Sequence, residues 1–301
     1  MDPMPAVSLV AVPGRRHRTL EVARQLEGRG FAGIYGPSFG DAMSLCLSLA
    51  HVTERIPFGT AIQPIYLRHP VDLAQAASYL AEVADGRFTL GLGVTHGPVH
   101  QRLGVEVGRP LADMRRYVEA LRAAVPEGAA MPRLVLATLR SKMLALAVEV
   151  ADGAIWANAA RSHMAAQLVE VPPDRLEAGF FVGNMIPTVI DDDRGAAAAV
   201  NRRTLTGYVT LPNYRNYWKY AGYEEEMAAI EAALEAGDRD RLPSLMSDRW
   251  LADCTLFGSA AEVREGIEAW FDAGVTTPIV VPSSTSGGQL KALDELVAAL
   301  A

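Results

Sequence analysis

The chain has 301 residues, half of them hydrophobic, and a formal net charge of −7. That balance, with no local Lys/Arg cluster to reverse it, excludes a nucleic-acid surface, and no apolar run is long enough to span a membrane. Two cysteines in apolar surroundings, Cys46 and Cys254, and a start without a basic-then-apolar leader point to a reducing, cytoplasmic location.

The length suits one α/β barrel of about 250 residues carrying an insertion, and no Ser/Pro/Gly-rich or charged linker divides it, so a single domain over 1–301 is expected. In chain order, strands are expected over 7–12, 32–35, 58–63, 88–94, 133–138, 154–158, 184–190 and 278–281, with helices over 19–27, 42–53, 70–83, 111–124, 142–150 and 288–300. The segment 58–63 is short, apolar and followed by a proline-containing loop, as a strand buried on both faces would be. Pro70 suits the first turn of the next helix, Val71, Ala74, Ala77 and Leu80 keep helical spacing, and Asp85-Gly86 stops it. The strand 88–94 contains Gly91 and Gly93. A glycine inside a strand packs nothing, so something must approach its backbone closely.

A helix end, a glycine and an apolar strand recur over 26–36, 83–93, 150–160 and 271–281, and the sequence EVADG occurs twice. Glycine just past a helix accepts the left-handed conformation and permits a tight turn. Strand-to-helix loops are longer and more polar. That asymmetry marks a (β/α)8 TIM barrel working at the C-terminal ends of its strands. A doubly wound sheet is the rival, but no strand leads into GxGxxG. The region 191–258, after strand seven, exceeds one barrel helix and reads as an inserted helical or lid region. Asp191 to Asp193 suit a helix start. Tyr208, Tyr214, Tyr217, Trp218, Tyr220 and Tyr223 crowd together there, either as a substrate-pocket wall or as subunit packing, and a homodimer is expected.

The motifs HExxH, CxxC, GxSxG and the P-loop are missing. His96 and His100 are four apart with no acidic partner, so no metal site is expected. The strand ending at Thr138 leads through Leu139, Arg140 and Ser141 into a helix whose free N–H groups attract an anion, which suits a phosphate. An ordinary Ser cap beside a surface Arg fits these residues as well.

The stretches GTAIQPIYLRHPVDLAQAASYLAEVADGRFTLGLGVTHGP, RPLADMRRYVEALR and ATLRSKMLALAVEVADGAIW resemble the luciferase-like monooxygenase superfamily, and more narrowly its oxidoreductases that use the deazaflavin F420. The resemblance implies a flavin-type ring at the barrel mouth. It places Ala61, Ile62 and Gln63 against the ring face, with a non-proline cis peptide between Ala61 and Ile62. Thr95 and His96 fall at the ring edge, Leu139, Arg140 and Ser141 at the phosphate, and Asn158 and Ala159 beside it. Arg140, Lys142 and Arg161 would meet an acidic tail, which favours F420 over FMN. Many relatives carry an acid or histidine just after strand two, where this chain has Tyr35-Gly36-Pro37-Ser38. Tyr35, His96 or a residue of the aromatic lid region is therefore expected to transfer the proton. The implied activity is hydride transfer between F420 and a small organic substrate. The alternatives are an FMN-dependent monooxygenase and a non-catalytic flavin-binding barrel.

Overall fold

A computed structural model describes residues 3–38 and 40–300. The fold is a parallel (β/α)8 barrel with a helical insertion. Its chain divides into two compact units, residues 1–156 with 170–183, and residues 157–169 with 184–301.

The first unit runs β1 (Ala6–Ser8), α1 (Arg16–Gly28), β2 (Gly33–Pro37), α2 (Ala42–Val52), β3 (Phe58–Ala61), β4 (Gln63–Pro64), α3 (Pro70–Val83), β5 (Phe88–Gly93), α4 (Gly97–Leu103), α5 (Pro110–Ala123), β6 (Arg133–Ala137), α6 (Ser141–Val150) and β7 (Gly153–Ala157), the last of these reaching the unit boundary. Its strands pair in parallel in chain order, with β4 beside β5. They are buried throughout β2, β3 and β5, as in a barrel whose strands are covered on both faces. Phe58 and Phe88 meet across β3 and β5 at 5.9 Å, and the Arg87 guanidinium covers Phe58 at 5.2 Å.

The expected strand 58–63 is interrupted. Phe58 and Gly59 pair with Phe88 and Thr89, an offset of 30, whereas Gln63 and Pro64 pair with Leu92 and Gly93, an offset of 29. Three residues thus face two, which is a bulge. The peptide between Ala61 and Ile62, inside that bulge, is cis.

The helix-closing glycines behave as expected at Gly30, Gly86 and Gly274, with φ of +78°, +75° and +90°. The second EVADG differs. Gly153 is needed for space, because a Cβ there would lie 2.4 Å from that of Phe181.

Beyond β7 come α7 (Arg161–Leu168), α8 (Pro173–Glu177) and β8 (Phe181–Ile190), then α9 (Arg194–Val209), α10 (Pro212–Tyr220), α11 (Glu224–Glu235), a 3-10 turn (Arg239–Leu245), α12 (Asp248–Cys254), β9 (Leu256–Gly258), α13 (Ala260–Asp272), β10 (Thr277–Ser283) and α14 (Gln289–Leu300). In the second unit β8 pairs with β9 in parallel and also with β10. Asp193 starts α9 by accepting from the Ala196 N–H, as the acidic run suggests. The strand β9 escaped the sequence reading because three residues carry no period. Tyr214, Tyr217, Trp218 and Tyr223 are buried, while Tyr220 is 57% exposed. Packing inside the unit, an option the sequence reading left out, accounts for those four rings. Among the described residues no helix is long and apolar enough to cross a membrane.

Candidate active site

Within the first unit the candidates gather at the C-terminal ends of β3, β5 and β6, the edge on which barrel enzymes carry their chemistry. The bulge after β3 turns the Ile62 side chain over β5. A Cβ on Gly93 would come within 2.6 Å of Ile62 Cδ1 and Cγ1, and one on Gly91 would come within 2.1 Å of the Thr60 carbonyl oxygen. Both strand glycines therefore have the close approach they implied. Ala61 and Gln63 are buried and Ile62 is half-buried, with the Gln63 amide donating to the Pro64 carbonyl at 3.2 Å.

At the end of β5, Thr95 has a φ of +56°, an uncommon conformation for a β-branched residue. Its hydroxyl is buried and has no partner among the described residues. His96 follows at the N-terminal boundary of α4. Burial pushes its imidazole below the ordinary histidine range, and the neighbouring His100 adds to this, so the ring is neutral near pH 7. His100 Nε2 lies 2.6 Å from the Val94 carbonyl oxygen.

After β6, Arg140 occupies the N-cap position of α6, and no side chain caps the helix. The reading of Ser141 as an ordinary cap is thereby corrected. Ser141 is the first helical residue, and the N-terminal N–H groups stay available beside the exposed Arg140 and half-buried Leu139.

Tyr35, another expected proton-transfer residue, packs in the core. It is 3% exposed, its ring sits 5.8 Å from that of Phe181, and burial pushes its hydroxyl far above the ordinary range. Gly33 and Gly59 make room for that ring.

Asn158 and Ala159 belong to the second unit. Asn158 has a φ of +56° and is 3% exposed, and its carbonyl accepts from Trp218 Nε1 at 3.1 Å. Ala159 N–H donates to Asn184 Oδ1 at 3.3 Å, and Ala160 N–H to the Tyr217 hydroxyl at 3.0 Å. Sequence reasoning missed Thr60, Tyr66 and Asp113, which lie inside the quoted stretches but whose partners are distant in sequence. It weighed His100 only as a metal ligand. Among the described residues no three His, Cys, Asp or Glu side chains gather to hold an ion.

The luciferase-like monooxygenase family profile matches residues 5–277. A putative coenzyme F420-dependent oxidoreductase of Mycobacterium tuberculosis is 25% identical, over 95% of this chain and 96% of that protein. The coenzyme F420-dependent tetrahydromethanopterin reductase of Methanopyrus kandleri has a similar structure, with a TM-score of 0.74 at 18% identity over 98% and 97% of the two chains. A type II Baeyer–Villiger monooxygenase component encoded on a Pseudomonas putida plasmid, solved with FMN, has a TM-score of 0.63 at 16% identity over 99% and 98%.

Proposed function

Because the chain belongs to the luciferase-like monooxygenase family, we propose that it is an oxidoreductase that exchanges a hydride between an F420-type deazaflavin and a small organic substrate. The observation that carries this reading is the pairing of Ile62, laid over Gly93, with the partnerless buried hydroxyl of Thr95 at the end of the same strand. A buried hydroxyl without a partner costs about 1–3 kcal/mol. The polar edge of a planar ring would relieve that cost while its face rests on the apolar side chain of Ile62.

The bound cofactor supplies the hydride chemistry, and the protein supplies binding, orientation and electrostatics. Ile62 supports the ring face, with Ala61 and Gln63 holding the bulge behind it. Thr95 bonds the ring edge. Arg140 and the open N-terminus of α6, with Leu139 and Ser141, hold the phosphate through charge and free N–H groups. His96, neutral and half-buried, would take the hydroxyl proton of an alcohol-type substrate as its hydride leaves, and in the reverse direction the imidazolium so formed would return that proton to the carbonyl-type product. Asn158 and Ala159, the other expected cofactor contacts, lie in the second unit and are left out of this assignment. The F420-dependent relatives and the exposed Arg140 and Lys142, suited to an acidic tail, favour F420.

The test is a spectroscopic binding titration with F420 and, separately, FMN, followed by single-turnover reduction with the bound cofactor. Tight F420 binding with turnover supports the proposal. Preferential FMN binding with oxygen consumption would replace it by monooxygenation. Binding without any turnover would leave a flavin-binding barrel, and binding of neither would overturn the cofactor assignment.

A further inference from the structure

His100 has no role so far, yet it closes the turn that carries Thr95 and His96. A carbonyl oxygen only accepts, so at 2.6 Å from the Val94 oxygen the His100 Nε2 carries the proton and donates. The bond runs from α4 back to the residue just after β5, across a turn whose other closing bonds are Val99 N–H and His100 N–H to the His96 carbonyl. Inside that loop Thr95 holds a φ of +56°, a conformation unfavourable for a β-branched residue that persists only where the surroundings enforce it.

The His100 ring is itself held from behind. Tyr66 meets it edge-on at 5.2 Å, and the Tyr66 hydroxyl donates to Asp113 Oδ2 at 2.8 Å. Asp113, 7% exposed, also accepts from the Gly108 N–H at 2.8 Å and pairs with Arg116. Burial alone would raise its pKa, but those donors outweigh it and keep the carboxylate ionised, so the support is permanent at neutral pH. The end of β5 and the loop after β4 therefore meet on one imidazole, and α5 holds the second of them through Asp113.

We propose that His100 is a positioning residue for the cofactor edge. In its Nε2–H form it clamps the Val94 carbonyl, holds Thr95 in the left-handed conformation, and so sets the direction of the Thr95 hydroxyl and the His96 imidazole. The cofactor half of this inference rests on the flavin-type reading above.

Two measurements test it. The first is 15N NMR of the histidine side chains in the wild-type protein without cofactor, with His100 assigned by its loss in His100→Phe. A protonated Nε2 at His100 is expected, and an unprotonated Nε2 overturns the clamp. The second is the affinity of His100→Phe and His100→Gln for F420 and FMN, with thermal unfolding measured alongside. His100→Phe keeps the ring against Tyr66 but loses the donor, and should weaken binding of the cofactor that wild type takes by about tenfold. His100→Gln restores an N–H donor and should recover part of the loss. Unchanged affinity in His100→Phe overturns the positioning role alone. Failure of the wild type to bind either cofactor overturns the functional reading and the cofactor half with it, while the NMR result still decides the clamp.

Discussion

The hydroxyl of Thr60 accepts from the Gly91 N–H at 2.9 Å and donates to the Gly91 carbonyl at 2.8 Å, so one side chain serves both backbone groups of a residue on the next strand. The bulge after β3 pushes the ladder out of register there, and the hydroxyl replaces the backbone groups that an unbroken strand would have supplied.

Replacing Thr60 by Val, which keeps shape and loses the hydroxyl, is expected to destabilise the protein by about 3 kcal/mol, because two buried backbone groups lose their partner. Thr60→Ser should cost less than half of that. Urea unfolding of the three proteins measures both steps, and a Thr60→Val variant as stable as wild type would contradict this account of the bulge.

Gly93→Ala places a methyl where Ile62 now lies, 2.6 Å from two atoms of a side chain that can move. The variant is expected to fold and to bind cofactor at least tenfold more weakly, since Ile62 must swing away from the strand. Gly93→Ala combined with Ile62→Ala should lose less than the two single losses together, the coupling expected of residues in contact. Strict additivity of the binding losses would separate Gly93 from Ile62 energetically.

Arg140→Glu reverses a charge beside the uncapped start of α6. Arg140 is exposed and makes no ion pair among the described residues, so the unfolding temperature should stay within about 2 °C of wild type, as for surface substitutions generally. Cofactor affinity should fall by more than tenfold, and by less at high salt, because charge attraction is screened. Equal affinity in the two proteins would remove the phosphate from this helix.

Much of the barrel was legible in the sequence because its signals are local. Pro70 and Asp85-Gly86 bound α3, whose observed limits match those expected, and Gly91 and Gly93 announced a close approach without saying what approached. The cis bond between Ala61 and Ile62 was reached only through resemblance, and it is present. What stayed hidden depends on distant partners. The hydroxyl of Thr60, 31 positions from Gly91, and the Tyr66–Asp113 bond, 47 positions apart, leave no mark in local spacing. Tyr35 looked available because it ends a strand, and its burial against Phe181 is a consequence of tertiary packing.

Trp218 illustrates the same limit. An aromatic cluster in an insertion suggests a lid, but Trp218 is fully buried, its ring stands edge-on to Trp250 at 4.8 Å, and its N–H holds the Asn158 carbonyl. Trp218→Ala should therefore lower stability by about 3–5 kcal/mol, the usual cost of a large core truncation. Trp218→Phe fills most of the space and should isolate the lost N–H donor at about 1–2 kcal/mol. Calorimetric unfolding distinguishes them. A Trp218→Ala protein of native stability with altered substrate affinity alone would restore the lid.

Glu27 gives a pH-dependent prediction. Its Oε1 accepts from the backbone N–H groups of Glu54, Arg55 and Ile56 at 2.9, 2.7 and 2.9 Å, fixing the loop that leads into β3. Burial acts to raise its pKa, but the three donors and the nearby Arg55 outweigh it, and the carboxyl sits below the ordinary glutamate range. A carboxylate whose folded pKa is depressed contributes stability that is complete above its unfolded pKa, about 4.3, and that fades as pH falls through the lower folded value. Glu27→Gln keeps the shape and an acceptor but not the charge, so it should cost about 1–2 kcal/mol at pH 7, part of the worth of hydrogen bonds to a charged group. As pH falls through that lower folded value the wild-type side chain becomes neutral as well, and the two proteins should converge. Denaturation curves at pH 7 and pH 3 check the sign. A difference that grows on acidification would mean that the carboxyl is raised rather than lowered in the folded protein, and that burial outweighs the three backbone donors.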